Sequence, residues 1–118
     1  MPFINILKTL VDCTPGSVGA ILVDWEGEAV QEYCHCPPYD MRFIAAHSGI
    51  ILARLKELHN SGQVGFIEDV VITTADCRLI IGCIDDDYSL VMNIGRSCPA
   101  GLALYHFRDA VKKLKKEI

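Results

Sequence analysis

Apolar residues in the first quarter of the chain switch from helical to strand spacing. They recur at the helical period over residues 3–11, and Thr14-Pro15-Gly16 ends that pattern. The following run, Val18 to Asp24, is continuously apolar. Continuous apolarity is typical of a strand that is covered on both faces. The sequence therefore predicts a first helix followed by an interior strand.

A weaker strand pattern and a long helical pattern come next. The segment from about Glu28 to His35 predicts an outer strand, which Pro37-Pro38 ends because proline cannot donate to a β-ladder. Asp40 is a suitable N-cap for a long helix, and Asn60-Ser61-Gly62 is a suitable C-terminal stop.

The remaining half of the chain predicts three strands and a closing helix. The strands are Phe66–Thr74, Arg78–Asp85 and Tyr88–Gly95, and their short connections indicate an antiparallel meander. Pro99 suits the first turn of the last helix. The buried stripe of that helix is predicted to be Ala103, Phe107, Ala110, Leu114 and Ile118, and its exposed face Arg108, Asp109, Lys112 and Lys116.

The element order is α-ββ-α-βββ-α. It predicts an α+β fold, with a five-stranded antiparallel sheet flanked by helices on both faces. A length of 118 residues is enough for one hydrophobic core, so residues 1–118 are interpreted as a single domain.

The long helix carries more apolar and small side chains than one sheet can cover. At about 100° per residue, and with Ile44 toward the sheet, the residues on the sheet side are predicted to be Ser48, Ile51, Leu52, Leu55 and Leu58. The opposite side holds Arg42, Ala46, Gly49, Ala53, Lys56 and Asn60, with Phe43, Ile50 and Arg54 along one flank. Mid-helix glycine costs about 1 kcal/mol relative to alanine, so Gly49 indicates either a partner contact or a close approach within the domain.

The Phe66–Thr74 strand offers a second contact surface. Phe66, Glu68, Val70 and Ile72 share one face of it. If this strand lies at the edge of the sheet, its unpaired backbone groups invite a second copy. Two copies related by a two-fold axis would then share one sheet and place their long helices side by side.

Composition and charge narrow the range of partners. Hydrophobic residues make up 51% of the chain, which favours an apolar surface kept for association. A net charge of -4 disfavours nucleic acid, which requires a basic surface. No run approaches a membrane span, and the first residues lack a signal-peptide pattern, so a cytoplasmic location is expected. The six cysteines are then expected to be reduced.

Cys34-His35-Cys36 is the best candidate for chemistry. Thiols two residues apart on a strand point the same way and could share a soft metal ion, while the imidazole between them would point to the other face. A zinc site needs four ligands, and no second close pair is present. Cys34 and Cys36 are therefore weak metal candidates, and no cofactor is predicted. The acidic run 85–87 lacks the pattern of a calcium loop and is interpreted as a turn.

Taken together, several segments resemble the roadblock family, which is named for dynein light chains. They are residues 19–24 with Gly27, residues 68–73, residues 78–81, residues 90–92, and Gly101-Leu102-Ala103 with Phe107-Arg108. The resemblance covers nearly the whole chain and is best from Ile67 onward. The segment 34–38 departs from the family pattern, in which it is short and acidic or small.

The resemblance implies a homodimer with a shared ten-stranded sheet. The chain is similar to bacterial members of the mutual-gliding-motility type, which work beside Ras-like small GTPases and lend no catalytic residue. Carried onto this chain, the surface facing the GTPase would comprise Arg42, Phe43, Ala46, Gly49, Ile50, Ala53 and Arg54.

Three hypotheses follow from these observations. The first is a non-catalytic homodimeric regulator or adaptor that binds a Ras-like GTPase. In its stronger form, this hypothesis adds that the protein stimulates GTP hydrolysis. The second is a scaffold or complex subunit with no effect on nucleotide turnover. The third is a metal or redox sensor based on Cys34 and Cys36.

Overall fold

A computed structural model describes residues 3–118 and confirms the predicted order of elements. The elements are α1 (Phe3–Cys13), β1 (Ser17–Asp24), β2 (Ala29–Cys34), α2 (Pro38–Asn60), β3 (Asp69–Thr73), β4 (Cys77–Cys83), β5 (Tyr88–Gly95) and α3 (Ala100–Glu117). The strands form one antiparallel sheet in the order β2-β1-β5-β4-β3. Residues 1 and 2, part of the N-terminal segment interpreted as lacking a signal peptide, lie outside the described residues.

Helices cover both faces of the sheet, as the α+β prediction requires. Alternate residues of β1 divide between two cores: Ala20 and Leu22 pack with α1 and α3, whereas Ile21 and Val23 pack with α2. This division explains why β1 is continuously apolar, since each of its faces is buried. The outer position of β2 is also confirmed, because β2 lies at one edge of the sheet.

The N-terminal boundaries of two helices differ from the prediction. The long helix α2 begins at Pro38 rather than at a cap on Asp40, and Pro37 occupies the N-cap position. Proline at the first helical position has the required φ and no N–H to satisfy. Asp40 then lies in the first turn, where its carboxylate favours the positive end of the helix dipole. Pro99 likewise precedes α3 as its N-cap and is not part of the first turn.

Strand β3 is shorter than predicted, because Phe66, Ile67 and Glu68 precede it. If the register of the ladder continued, Phe66 would face Asp85, which lies just after β4. The backbone N–H of Asp85 instead donates to the carbonyl of Tyr88 within the β4–β5 turn. Pairing with β4 therefore does not extend to the residues before Glu68. The carbonyl of Glu68 itself still accepts a hydrogen bond from the N–H of Cys83 at 3.1 Å.

The last helix packs as predicted except at its end. Ala103, Phe107, Ala110 and Leu114 are buried, whereas Ile118 follows the last helical residue and is 43% exposed. The guanidinium of Arg108 joins α3 to β3 through two hydrogen bonds to the carboxylate of Asp69, of 2.9 and 3.3 Å. None of the helices described between residues 3 and 118 is long and apolar enough to cross a bilayer.

Candidate protein-interaction surface

The long helix α2 is rotated relative to the prediction. Its buried residues are Met41, Ala45, Ser48 and Leu52, so the buried arc is centred about 70° away from Ile44. Ile51 and Leu58, predicted to face the sheet, are 40% and 47% exposed. Small side chains at Ala45 and Ser48 let the helix lie close to the sheet, and two large apolar residues are left outside.

Helix α2 lies over only part of its sheet face. It packs on β1, β2 and β5, and Arg42 on one flank pairs with Glu32 of β2. Ile51 lies about 180° around the helix from Arg42, so it lies on the flank turned toward β4 and β3. On that half of the sheet, Ile72 and Leu79 face each other across the ladder and remain half-buried. An apolar helix flank thus borders an incompletely covered apolar sheet.

Strand β3 is an edge strand, as the dimer prediction required. The N–H of Thr74 donates to the carbonyl of Cys77, and that of Cys83 donates to the carbonyl of Glu68. Even-numbered residues of β3 therefore bond to β4, and the N–H and C=O groups of Asp69, Val71 and Thr73 point outward. These outward groups leave a backbone edge to which a further strand can pair.

The predicted dimer-interface residues divide between the strand and the segment before it. Val70 and Ile72 are half-buried on the α2 side of β3. Glu68 shares that side but lies just before the strand. Phe66 is 52% exposed, and its ring meets that of His59 edge-on at 5.8 Å. Val70 and Ile72 thus lie on the edge strand, as predicted, whereas Phe66 lies in the loop that precedes it.

An aromatic row runs along the solvent side of α2. The rings of Tyr39 and Phe43 lie 6.3 Å apart, and those of Phe43 and His47 lie 4.4 Å apart. Nδ1 of His47 is 2.9 Å from the carbonyl of Phe43, and since a carbonyl can only accept, Nδ1 is the donor. Tyr39, Phe43 and Ile50 are all more than half exposed. Such a row is a candidate anchor for a protein partner.

The two arginines of the predicted GTPase-facing surface are both in ion pairs. Nε of Arg42 donates to Glu32 at 3.0 Å, and this interaction raises the pKa of Arg42 above its usual value. Nη1 of Arg54 donates to Glu57, three residues further along the helix, at 3.2 Å. Both side chains are exposed, so they add charge to the surface while they are held by neighbouring carboxylates.

The small residues of α2 form one wall of a groove. A Cβ on Gly27 would lie 4.0 Å from Cα of Ala46, so Ala46 accommodates the β1–β2 turn. A Cβ on Gly49 would meet nothing within 4 Å among residues 3–118, so packing within this part of the chain does not require that glycine. The groove has a volume of about 290 Å³, and its other walls are the β1–β2 and β4–β5 turns. Sequence reasoning identified Ala46, Gly49 and Ala53 but missed this groove, because the pattern gave no sign of which turns lie beside the helix.

Cys34 and Cys36 lie on the α2 side of the sheet, and His35 lies on the other side. Sγ of Cys34 donates to the carbonyl of Cys36 at 3.2 Å, and burial together with Cys34 raises the pKa of the Cys36 thiol. The His35 imidazole lies 3.9 Å from Asp12 of α1. Within residues 3–118 no three Cys, His, Asp or Glu side chains are grouped to hold a metal ion. The raised pKa favours the protonated thiol at Cys36.

No protein-family model matches the chain, and no curated protein sequence matches it. Solved structures do match. A Roadblock/LC7 domain from Streptomyces avermitilis superposes with a TM-score of 0.87 at 17% identity, over 97% of this chain and 95% of that chain. Myxococcus xanthus MglB also gives 0.87, at 16% identity, over 98% and 94%. The gliding protein MglB of Thermus thermophilus gives 0.83 at 18% identity, over 97% and 86%.

These three superpositions extend over almost the whole chain and include the sheet with its helices on both faces. The fold expected from the family resemblance is confirmed: the chain has the Roadblock/LC7 fold, in the form also found in MglB.

Proposed function

We propose that the chain is a non-catalytic homodimer whose paired α2 helices bind a Ras-like small GTPase. The dimer would form through the β3 edge and the flank of α2 that carries Ile51. The observation that carries the proposal is the apolar surface left by α2: Ile50, Ile51 and Phe43 are 62%, 40% and 56% exposed. One isolated copy would leave this surface in water, and a neighbouring copy would remove part of it.

Two faces of α2 would then serve two partners. Pairing of β3 with β3 about a two-fold axis would bring the Ile51 flank of each helix against the open half of the other sheet. Phe43, Ile50 and Arg54 would stay outside this contact, on the surface offered to the GTPase. The Roadblock/LC7 fold supports this reading, because the family resemblance implies such dimers beside Ras-like GTPases. A solved MglB structure with a tetrameric arrangement supports the association of copies.

The proposed effect on the GTPase is indirect. Because Arg42 and Arg54 are held by Glu32 and Glu57, neither is presented as a free arginine finger. Stimulation of hydrolysis would then come from ordering the groups of the GTPase itself. A scaffold without such an effect is the alternative, and the same ion pairs are compatible with it.

The test is a GTP-turnover assay with the small GTPase recovered from the native host by pull-down on this protein. The regulator proposal predicts binding and a higher rate of phosphate release when this protein is added. Binding with an unchanged rate would assign the scaffold role. Failure to recover any GTPase would contradict the regulator proposal and leave the scaffold role.

A further inference from the structure

The groove between α2 and the two turns has an apolar floor and an acidic rim. Ala46, Ala53, Leu52 and Ile50 contribute apolar atoms from α2. The β1–β2 turn contributes Trp25, whose side chain is 66% exposed. An indole left in water at the mouth of a groove is available as an anchor for a ligand.

The acidic rim comes from both turns. Glu26 lies in the β1–β2 turn, and Asp86 and Asp87 lie in the β4–β5 turn. All three side chains are exposed, and none takes part in an ion pair among residues 3–118. Among residues 3–118, Lys56 is the one cation that lines the groove. The excess of negative charge around an apolar floor is complementary to a cationic segment.

Two carboxylates next to the rim, those of Asp24 and Asp85, stabilise the turns through hydrogen bonds to the backbone. Oδ1 of Asp24 accepts hydrogen bonds from the N–H groups of Glu26 and Glu28, at 2.9 and 3.0 Å. Oδ1 of Asp85 accepts from the N–H groups of Asp87 and Tyr88, both at 2.8 Å. Because Asp24 and Asp85 hold the turns in place, the side chains of Glu26, Asp86 and Asp87 are free to meet a ligand.

We propose that this groove binds a peptide segment of a partner protein that carries arginine next to a large apolar residue. The apolar side chain would occupy the floor that Gly49 leaves open. The guanidinium would lie between the acidic rim and the face of Trp25, where carboxylates and an indole both attract a cation. The inference extends the proposed function, since Ala46, Gly49 and Ala53 belong to the surface offered to the GTPase.

The chain contains a single tryptophan, so the Trp25 indole N–H gives one assigned reporter within the groove. The probe is a blocked peptide with two arginines and two leucines, and its control has citrulline in place of each arginine. Two-dimensional NMR titration of the full chain is expected to shift the Trp25 indole signal and the amide signals of Gly49 and Asp86. The citrulline peptide, which has the same shape without charge, is expected to bind about tenfold more weakly, because it lacks the cation–π contact and the charge-assisted hydrogen bonds.

Two variants, one in the acidic rim and one far from it, locate the recognition. Glu26→Gln/Asp86→Asn/Asp87→Asn removes the rim charges without touching Asp24 or Asp85, and is expected to weaken the arginine peptide about tenfold. Asp76→Asn/Glu117→Gln removes distant acidic groups and is expected to leave its affinity unchanged. Retention of wild-type amide spectra in the unbound variants shows that both remain folded.

Equal binding of the two peptides, equal loss in both variants, or shifts confined to residues outside the groove would overturn the inference. The titration contains no GTPase, so its outcome is separate from that of the turnover assay. If a GTPase binds and the arginine peptide does not, the proposed function is retained and peptide binding in the groove is excluded. Peptide binding without a GTPase partner would do the reverse.

Discussion

The ring of Phe107 lies directly against the backbone of Gly82. A Cβ added to Gly82 would be 2.6 Å from Cε1 and 2.9 Å from Cζ of that ring, closer than real side chains approach. Through this contact α3 packs on β4, the neighbour of the edge strand β3 on which the proposed dimer depends. Gly82 is thus required by a close approach.

Gly82→Ala should lower the free energy of unfolding by about 1–3 kcal/mol, the usual cost of an overpacked core. Urea unfolding measures the change. Gly101→Ala is the matched control, because a Cβ there meets nothing within 4 Å in the part of the chain that the structure describes. In the first turn of α3 this control should be neutral or stabilising by up to about 1 kcal/mol. Equal stability of the Gly82 variant and the wild type would contradict the packing described.

Gly49→Arg should abolish binding of the GTPase partner with little loss of the fold, because the new side chain enters the proposed contact surface. Gly49→Ala is its control. Alanine in mid-helix should raise the free energy of unfolding by about 0.5–1 kcal/mol, and its single methyl group leaves the surface accessible. Pull-down and urea unfolding measure the two effects. Full partner binding by the arginine variant would exclude this surface.

Two adjacent isoleucines should have separable roles. Ile51→Lys should raise the dimer dissociation constant at least about tenfold, since it removes roughly 1.5–3 kcal/mol of apolar burial from the proposed interface. Ile50→Lys, about 100° further around the helix, should weaken GTPase binding and leave the dimer intact. Sedimentation velocity and pull-down of both variants measure these effects. Identical behaviour of the two would mean that α2 does not divide its faces as proposed.

The order of elements could be predicted from the sequence because it depends on local patterns. The rotation of α2 could not. Ile44, Ile51 and Leu58 form the more apolar arc, yet Met41, Ala45 and Ser48 face the sheet. Periodicity shows that both arcs of the helix carry apolar or small residues, but it does not show which arc packs on the sheet. Close packing of a helix on a sheet favours small side chains, so the arc with the larger apolar residues is left exposed.

The candidate surface was predictable only where one helix carried it. Gly49 and Ala53 were recognisable because small residues in mid-helix are unusual. Trp25 and Asp86 were not, since they reach the same groove from turns far apart in the sequence. The start of β3 was predicted too early because its apolar pattern extends back to Phe66, while the ladder is limited by the turn at Asp85, just after the opposite strand β4.

The thiols of Cys36 and Cys83 should react slowly with iodoacetamide near neutral pH. Burial raises the pKa of both, and the neighbouring Cys34 thiol further raises that of Cys36. A raised pKa lowers the thiolate fraction at a given pH, so the alkylation rate should increase as pH rises toward and beyond 9. Mass spectrometry of native and urea-unfolded protein measures the rates. Faster alkylation of Cys36 in the native protein than in the unfolded protein would favour the sensor hypothesis.

The proposed dimer depends on the free edge of β3, where the N–H of Val71 points away from β4. Val71→Pro removes that N–H and leaves the bonds of Val70 and Ile72 to β4 in place, so it should block edge pairing selectively. Val71→Ala, which keeps the N–H, is the control. Circular dichroism of the proline variant checks that the fold is retained.

Sedimentation equilibrium of the wild type beside Val71→Pro is the most direct test. The proposed β3-paired dimer should give twice the chain mass of 13.1 kDa for the wild type and for Val71→Ala, and a single chain mass for Val71→Pro. A wild-type protein that sediments as one chain at micromolar concentration, or a proline variant that stays dimeric, would contradict it.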